Sequence, residues 1–305
     1  MTMRLRFVET RTAHRLALGV EPVDAVTGRP SGHPVQAGLP LPAPPEPAGL
    51  PGGLPGGLRG DLPAGLPGAL PDDLPAGHHD VLPDGPVLAL DGIGNGRFTL
   101  RHGAQRDPWP TPRAAELRIL LRDPWRRYVP RLLAVSLWRR RELEDAEAAG
   151  TPVPVLARTL RPWLLPGSAY PLPRGTTAVR GTVRTPAGAP VPWARVEAVV
   201  AGTATVAGRA HGDERGEFLL VVAGLGDAGL NVENLPVITI DVTVRARRPP
   251  PRGVPEEAVP RAEPPDTPLS RGQTPPPGYE AAPPRTLQIP VARLHAEPLP
   301  FPFPA

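Results

Sequence analysis

Apolar and polar residues alternate along several stretches of the chain. Between residues 237 and 247 every second position carries an apolar side chain, at Ile238, Ile240, Val242 and Val244. A period of two places these side chains on one face, so the segment is predicted to be a half-buried β-strand. Shorter alternating segments occur in residues 4–26, 85–103, 115–138, 178–222 and 285–294. The pattern predicts an all-β protein made of two small antiparallel β-sandwiches.

Two proline-rich segments interrupt this pattern. Within residues 31–84, leucine recurs every four residues from Leu50 to Leu74, mostly as Leu-Pro-x-Gly. Because a Pro in nearly every unit removes amide donors that a helix needs, the repeat is predicted to form turns and extended chain. We interpret this tract as a disordered loop that the fold tolerates, or alternatively as a spacer or docking tract for a partner. Residues 248–284 form the second proline-rich insertion.

These boundaries predict two domains with a linker and a tail. The predicted units are an N-terminal β-sandwich over residues 1–138 with the disordered tract 31–84, a linker over 139–174, a second β-sandwich over 175–294 with the insertion 248–284, and an extended tail over 295–305.

The composition agrees with long insertions that lack a core. The 305 residues include 49 Pro and 33 Gly, and aromatic residues make up only 4%. Segments of such composition cannot bury enough apolar surface to offset the entropy of ordering. We therefore expect both proline-rich insertions to be disordered.

The charge distribution argues against a nucleic-acid partner. All 34 basic residues are Arg, 30 carboxylates balance them, and the formal net charge is +4. A nucleic-acid-binding surface gathers cations on one face and places stacking aromatics between them. Here the densest basic cluster, residues 138–141, is followed at once by four acidic residues within 142–147. We expect protein partners and no nucleic acid.

The sequence also bears on the compartment. There is no Cys, so disulfides and thiolate metal sites are excluded. Residues 1–20 carry charges throughout and lack the apolar run of a signal peptide. No stretch approaches the roughly 20 apolar residues of a membrane span. We expect a cytoplasmic protein without a membrane span, which is also compatible with a place in a particle that the cell releases.

Residues that could carry catalysis do not combine into a recognisable site. The one His cluster, residues 78–80, lies in the proline-rich tract without the fixed geometry that a zinc site requires. The glycines of residues 91–98 lie between two predicted strands rather than before a helix, so they indicate a hairpin turn and not a dinucleotide fingerprint. None of the four Ser lies in a Gly-x-Ser-x-Gly elbow, and turn chemistry explains Asp213 and Glu214. We expect no enzyme, no cofactor and no metal.

Residues 178–222 carry a succession of small and apolar residues at set positions. Its members are Val179, Gly181, Val183, Gly188, Ala194, Val196, Gly216 and Phe218. Gly188 permits the chain reversal between the first two strands, and Gly216 permits the turn that precedes the strand bearing Phe218. The succession resembles the carboxypeptidase regulatory-like domain, a transthyretin-like antiparallel β-sandwich. The resemblance implies a fold and brings no catalytic residues, because a carboxypeptidase's zinc ligands belong to a separate enzyme domain.

The layout of the whole chain is similar to that of accessory proteins of phage-tail-like contractile injection systems from GC-rich bacteria. The similarity lies in residues 15–30, 122–135, 170–196 and 276–291. It implies a non-enzymatic structural adaptor for protein–protein assembly, acting as a cap, collar or baseplate component. Two alternatives remain open: a carbohydrate or cell-surface binding module of the adhesin type, and an accessory subunit of a separate enzyme.

Aromatic side chains and strand edges are the remaining candidate interaction sites. The predicted interface residues are Trp109, Trp138, Trp163, Phe301 and Phe303. Aromatic and Arg side chains often dominate binding energy, and unpaired strand edges accept partner strands. We expect Trp125 and Trp193 to pack in the core.

Overall fold

A computed structural model of the chain describes residues 16–40, 87–101, 116–136, 145–152, 159–223, 237–248, 260, 262–265 and 267–304. These residues form twenty β-strands and a helical turn at 145–148. The protein is therefore all-β, as the alternating pattern predicts. Within the described ranges, no helix has the length and apolar character needed to cross a membrane.

The strands follow one another in chain order. They are β1 (Leu16–Val20), β2 (Val23–Asp24), β3 (Gln36–Pro40), β4 (Val87–Ala89), β5 (Asp91–Gly94), β6 (Arg97–Arg101), β7 (Glu116–Arg122), β8 (Arg131–Ser136), β9 (Thr159–Leu160), β10 (Trp163–Leu164), β11 (Thr177–Arg184), β12 (Arg195–Val200), β13 (Val206–His211), β14 (Glu217–Val222), β15 (Val237–Arg247), β16 (Ala262–Glu263), β17 (Tyr279–Ala281), β18 (Arg285–Pro290), β19 (Leu294–Ala296) and β20 (Phe301–Pro302).

The N-terminal sandwich packs two sheets over one core. One sheet has the order β5-β6-β1-β9 and the other the order β16-β8-β7-β3-β4, with β2 and β10 paired beside them. Alternate residues of the strands point into the space between the sheets, because successive side chains of a strand lie on opposite faces. The most deeply buried of them are Leu18, Val20, Ile119, Leu121, Leu133 and Leu164. Asn95 and Gly96, both with positive φ, form the predicted hairpin turn between β5 and β6.

The second sandwich packs β14-β11-β19 against the sheet built on β13-β12-β15, to which β17 and β18 add along β15. The ring of Phe218 fills the space between the sheets and is fully buried. Gly181 leaves room for it, since a Cβ there would lie 2.7 Å from the Phe218 ring and 3.0 Å from the Phe301 ring. The long strand predicted at residues 237–247 is β15, and its apolar positions are buried in strict alternation.

Strands also occur where none was predicted. The predicted tract 31–84 contains β3, the predicted linker 139–174 contains β9 and β10, and the predicted insertion 248–284 contains β16 and β17. Four of these are only two or three residues long, so they carry no alternation that a sequence pattern could reveal. The rest of the 31–84 tract, from residue 41, lies outside the described residues.

The predicted extended tail is part of the second sandwich. Strands β19 and β20 pair in parallel with β11, and the Phe303 N–H donates to the Arg184 carbonyl at 2.9 Å. Phe301 and Phe303 are buried, with exposed fractions of 2% and 0%. The prediction that these two residues form an exposed interface is therefore wrong: paired with β11, the tail directs both rings into the core.

The two sandwiches share packing. Ala178 on β11 and Leu219 on β14 point away from their own core, and both are fully buried in the core of the N-terminal sandwich. In addition, β16 from the proline-rich insertion pairs in parallel with β8 at the edge of the N-terminal sheet. The sandwiches are therefore joined by apolar packing of the second sandwich into the core of the first and by a strand that crosses between them.

Candidate interaction site at the junction of the sandwiches

The turn between β7 and β8 is organised by a buried carboxylate. Asp123 accepts the backbone N–H of Trp125 on Oδ1 and that of Arg127 on Oδ2, each at 3.0 Å. The Arg127 guanidinium completes the arrangement with an Nε–Oδ2 distance of 3.0 Å. Pro124 follows the acid and favours a turn. Because both carboxylate oxygens have partners, the role of Asp123 is to hold the turn in one conformation.

This turn presents Trp125 and Arg126 at the surface. The prediction that Trp125 packs in the core is wrong: its side chain is 59% exposed, and the Arg127 guanidinium carbon lies 4.6 Å from its ring centroid. The cause is local, because the bond from the Trp125 amide to Asp123 fixes the turn. Arg126 has a φ of 57°, a left-handed conformation that costs about 1–3 kcal/mol in a residue other than glycine.

A cleft of about 320 Å³ opens between this turn, Gly167 and the turn between β13 and β14. Its lining includes Arg122, Arg126, Tyr128, Gly167, Asp213 and Glu214. Arg126 spans the cleft towards Glu214, with 3.7 Å between Nη2 and Oε1. The cleft therefore draws its walls from both sandwiches, and its position depends on how they pack together.

The far wall of the cleft is a second turn built on a buried acid. Asp213 Oδ1 accepts the backbone N–H groups of Arg215 and Glu217, both at 2.9 Å. Burial raises the pKa of the Asp213 carboxyl, and the two amide bonds and Arg215 oppose the rise. Gly216 has a φ of 72°, and a Cβ at this position would lie 2.5 Å from the Val183 carbonyl oxygen. Only glycine fits this turn without strain.

Beside the cleft, one buried carboxylate binds two guanidinium groups from different sandwiches. Glu263 on β16 lies 3.0 Å from Nη2 of Arg131 on β8, and its other oxygen contacts Arg195 on β12. Arg131 and Glu263 are almost completely buried. Burial lowers the pKa of Arg131, and the charge of Glu263 opposes that change. The cluster ties β8, β12 and the strand that crosses between the sandwiches into one unit.

His211 lies next to this cluster and is itself buried. Burial lowers the pKa of His211 well below its usual value, and the positive charges of Arg195 and Arg131 lower it further. Among the described residues, the His211 Nε2 atom has no hydrogen-bond partner. The backbone of Gly272 covers the ring, since a Cβ there would lie 2.7 Å from Nε2. His211 is therefore a neutral imidazole at neutral pH.

The remaining Trp residues, three predicted at an interface and one in the core, differ in where they lie. Trp163 on β10 is half-buried, with the Arg271 guanidinium carbon 5.8 Å from its ring centroid. Trp193 is buried, as expected, and Tyr279 donates to its carbonyl at 3.0 Å. Trp109 and Trp138 lie outside the described residues.

The residues of the predicted motif lie on three strands of the two facing sheets and in the turns beside those strands. Val179, Gly181 and Val183 lie on β11, Gly188 in the turn after it with a φ of 85°, Ala194 directly before β12, Val196 on β12, Gly216 before β14, and Phe218 on β14. The structure therefore brings these residues together around the core of the second sandwich.

No metal centre is evident in the part of the chain that the structure describes. In those residues, no three His, Asp or Glu side chains come together in a group that could hold an ion. The cluster at residues 78–80 lies outside them.

The buried charge cluster is the feature that sequence reasoning missed. Glu263 is separated from Arg131 by 132 positions and from Arg195 by 68. Glu263 stands in a proline-rich segment that was predicted to be disordered. The one local signal is Arg131 itself, a charged residue that opens the apolar strand β8.

Comparisons with known protein families, with curated proteins and with solved structures found no match.

Proposed function

We propose that this protein is a non-enzymatic adaptor in protein–protein assembly, a rigid bridge of two β-sandwiches between larger subunits. The observation that carries the proposal is the shared core, in which Ala178 and Leu219 of the second sandwich are buried in the first. Contacts between domains of one chain are ordinarily modest and polar and allow relative motion. Here two residues of the second sandwich are instead buried in the apolar core of the first, and this packing holds the two sandwiches at a fixed distance and orientation.

Rigidity suits an adaptor for an energetic reason. A partner that binds a pre-organised surface does not have to offset the entropy of ordering that surface. The buried ion pairs of Glu263 add to this effect, because they connect β8 of one sandwich to β12 of the other. An adaptor of this kind sets the spacing of its partners by its own dimensions.

The two resemblances in the sequence support a particular setting for the adaptor. Residues 178–222 resemble the carboxypeptidase regulatory-like domain, and the layout of the chain is similar to accessory proteins of phage-tail-like contractile injection systems. On this proposal, the protein is a cap, collar or baseplate component, its partners are protein subunits of that particle, and it binds no nucleic acid. Assembly takes place in the cytoplasm before any release of the particle.

One observation favours a second candidate function. Trp125 is 59% exposed on the turn whose Asp123, Pro124 and Arg126 line the polar cleft, and an exposed aromatic ring near polar groups is an arrangement that suits a sugar ring. A carbohydrate or cell-surface binding module is therefore the alternative. It predicts that the isolated protein binds oligosaccharides, whereas the adaptor proposal predicts that it does not.

The test is affinity capture of the tagged full-length protein from a lysate of its native cells, followed by mass spectrometry and negative-stain electron microscopy. The adaptor proposal predicts recovery of at least two subunits of one particle, in a constant ratio, with particles visible in the eluate. Recovery with envelope glycans would favour the binding module. Recovery of the protein alone, or with a single active enzyme, contradicts the adaptor proposal.

A further inference from the structure

The carboxylates that line the junction cleft all have cationic or amide partners. Asp123 is bound by Arg127 and by two backbone N–H groups. Asp213 accepts two backbone N–H groups and contacts Arg215. Glu214 faces Arg126 across the cleft at 3.7 Å. None of these acids is left to bind a cationic ligand.

Arg122 is the exception among the charged groups of the cleft. It is the last residue of β7, its side chain is half-buried, and it contributes to the cleft lining. Within the described part of the chain, its guanidinium has neither an ion-pair partner nor a hydrogen-bond partner. A half-buried guanidinium that has no such partner among the described residues favours an anionic ligand, and its planar fork matches a carboxylate in a bidentate arrangement.

The neighbouring turn adds the features of a protein-binding surface. Trp125 and Arg126 project from a turn that Asp123 holds in place, and Arg126 keeps a left-handed backbone conformation. Trp and Arg are enriched among residues that dominate binding energy. Backbone strain that the surrounding structure maintains is concentrated at functional positions. The turn is therefore ordered before any ligand arrives.

We propose that the junction cleft is the docking site for an acidic segment of a partner protein. A carboxylate of that segment pairs with Arg122 inside the cleft, and an apolar side chain of the segment that lies outside the cleft packs on the exposed part of Trp125 on the same turn. This inference rests on the proposed adaptor function, since it assigns the place where the adaptor holds one of its partners. The volume of about 320 Å³ accommodates one or two side chains rather than a folded element.

The remaining charges of the cleft favour a peptide over a nucleic acid. Asp213 and Glu214 form one wall, and a nucleic acid would bring a phosphate charge with every nucleotide close to both acids. A peptide with a single carboxylate places that group at Arg122 and brings neutral backbone past Glu214.

The first experiment uses two blocked pentapeptides as probes, acetyl-Gly-Leu-Glu-Leu-Gly-amide and its Gln analogue. Each is titrated into the isotope-labelled full-length protein while the Trp125 indole and Arg122 Nε–H signals are followed by NMR. We expect saturable shifts with the Glu peptide and affinity about 10- to 100-fold weaker with the Gln peptide, the range for loss of a charged hydrogen bond. Equal affinity for both peptides overturns the proposal, as does stronger binding of a thymidine oligonucleotide at the same signals.

Three variants locate the interaction. Arg122→Gln is expected to weaken binding of the Glu peptide by about 10- to 100-fold. Arg118→Gln is the matched control, because Arg118 lies on the same face of β7 and is exposed, and it should leave the affinity unchanged. Glu214→Gln removes a competing negative charge and should tighten binding about two- to five-fold. Unchanged binding by folded Arg122→Gln protein contradicts the assignment, and so does weaker binding by Glu214→Gln.

Capture from native lysate with Arg122→Gln and Arg118→Gln separates this inference from the proposed function. If wild-type protein and Arg118→Gln recover an assembly partner that Arg122→Gln loses, the docking site and the adaptor function are both supported. If Arg122→Gln retains the partner, the docking site is wrong and the adaptor function stands. If wild-type protein recovers no assembly partner while the Glu peptide still binds through Arg122, the adaptor function is wrong and the cleft remains a carboxylate-binding site.

Discussion

At the scale of single residues, the charge of Glu263 is the most consequential feature of the junction. Its carboxylate is the shared partner of Arg131 and Arg195. Replacing it with a neutral amide leaves a buried guanidinium without a counter-charge, which is more costly than the pair itself is stabilising.

Glu263→Gln is therefore expected to lower the free energy of unfolding by about 3–5 kcal/mol, measured by urea denaturation at pH 7. The matched control is Glu280→Gln, which breaks the exposed ion pair with Arg248 and should cost less than about 1 kcal/mol. A similar loss in both variants would contradict the role of Glu263.

His211 makes the free energy of unfolding depend on pH. Because its pKa in the folded state lies well below 6.5, the unfolded chain binds a proton at this residue at a higher pH than the folded protein does. The stabilisation is fully present above pH 6.5 and is lost as the pH falls towards the folded pKa, by up to about 1.4 kcal/mol for each pH unit.

His211→Asn should remove this contribution, so the free energy of unfolding should fall less between pH 7 and pH 5 in the variant than in the wild type. Comparing the two proteins isolates His211, because Asp213, whose raised pKa acts in the opposite direction, is present in both. Identical pH profiles would show that His211 is not buried as a neutral group.

At this scale, the sequence predicted the burial of some aromatic residues correctly and that of others wrongly. It placed Trp193 in the core correctly, yet it placed Trp125 in the core and the two Phe residues of the tail at the surface. In both errors, a specific contact decides whether the side chain is buried, and the apolar character of the residue does not reveal that contact. A carboxylate fixes the orientation of Trp125, and pairing with β11 directs Phe301 and Phe303 inwards.

At the scale of elements, alternation predicts strands well where they are long and half-buried. β15 alternates over its whole length and was predicted with its correct bounds. Each parallel pair in the described residues instead joins a strand of the sandwiches to a strand of two or three residues from the predicted linker, insertion or tail. Such pairs could not be predicted, because two residues define no period and the pairing partner is distant in the chain.

The tail strand β20 contributes strongly to the stability of the second sandwich. Phe301 lies edge-on to Phe218, with 5.4 Å between ring centroids. Phe301→Ala is expected to destabilise the protein by about 3–5 kcal/mol, the cost of a cavity of this size in a core. Leu299→Ala is the control: Leu299 is 61% exposed, and its loss should change the unfolding free energy by about 0.5 kcal/mol or less. Equal, small effects in calorimetry would contradict the insertion of the tail.

The prolines of the tail protect a sheet edge. Phe303 directs its N–H to β11, while Pro302 and Pro304 are exposed and have no N–H to offer on the other side. The double variant Pro302→Ala, Pro304→Ala should keep its thermal stability and self-associate at lower protein concentration, as measured by sedimentation velocity. Unchanged association would show that this edge is protected in another way.

At the scale of the whole molecule, the sequence predicts two sandwiches but not their union. Nothing in the alternation of β11 or β14 shows that Ala178 and Leu219 face a second core, because outward-facing small and apolar residues are common on protein surfaces. The candidate site was unpredictable for the same reason: the cleft, Glu263 and its two Arg partners exist only once the sandwiches pack together. The sequence pattern predicts the strands of each sheet, whereas the cleft forms only where the two sandwiches pack together.

The central claim is that the two sandwiches form one rigid body, and differential scanning calorimetry of the full-length protein tests it most directly. A shared apolar core with buried ion pairs couples the unfolding of both halves, so the account predicts a single transition with equal calorimetric and van 't Hoff enthalpies. Two separate transitions, or a calorimetric enthalpy well above the van 't Hoff value, would contradict it, since the sandwiches would then unfold independently.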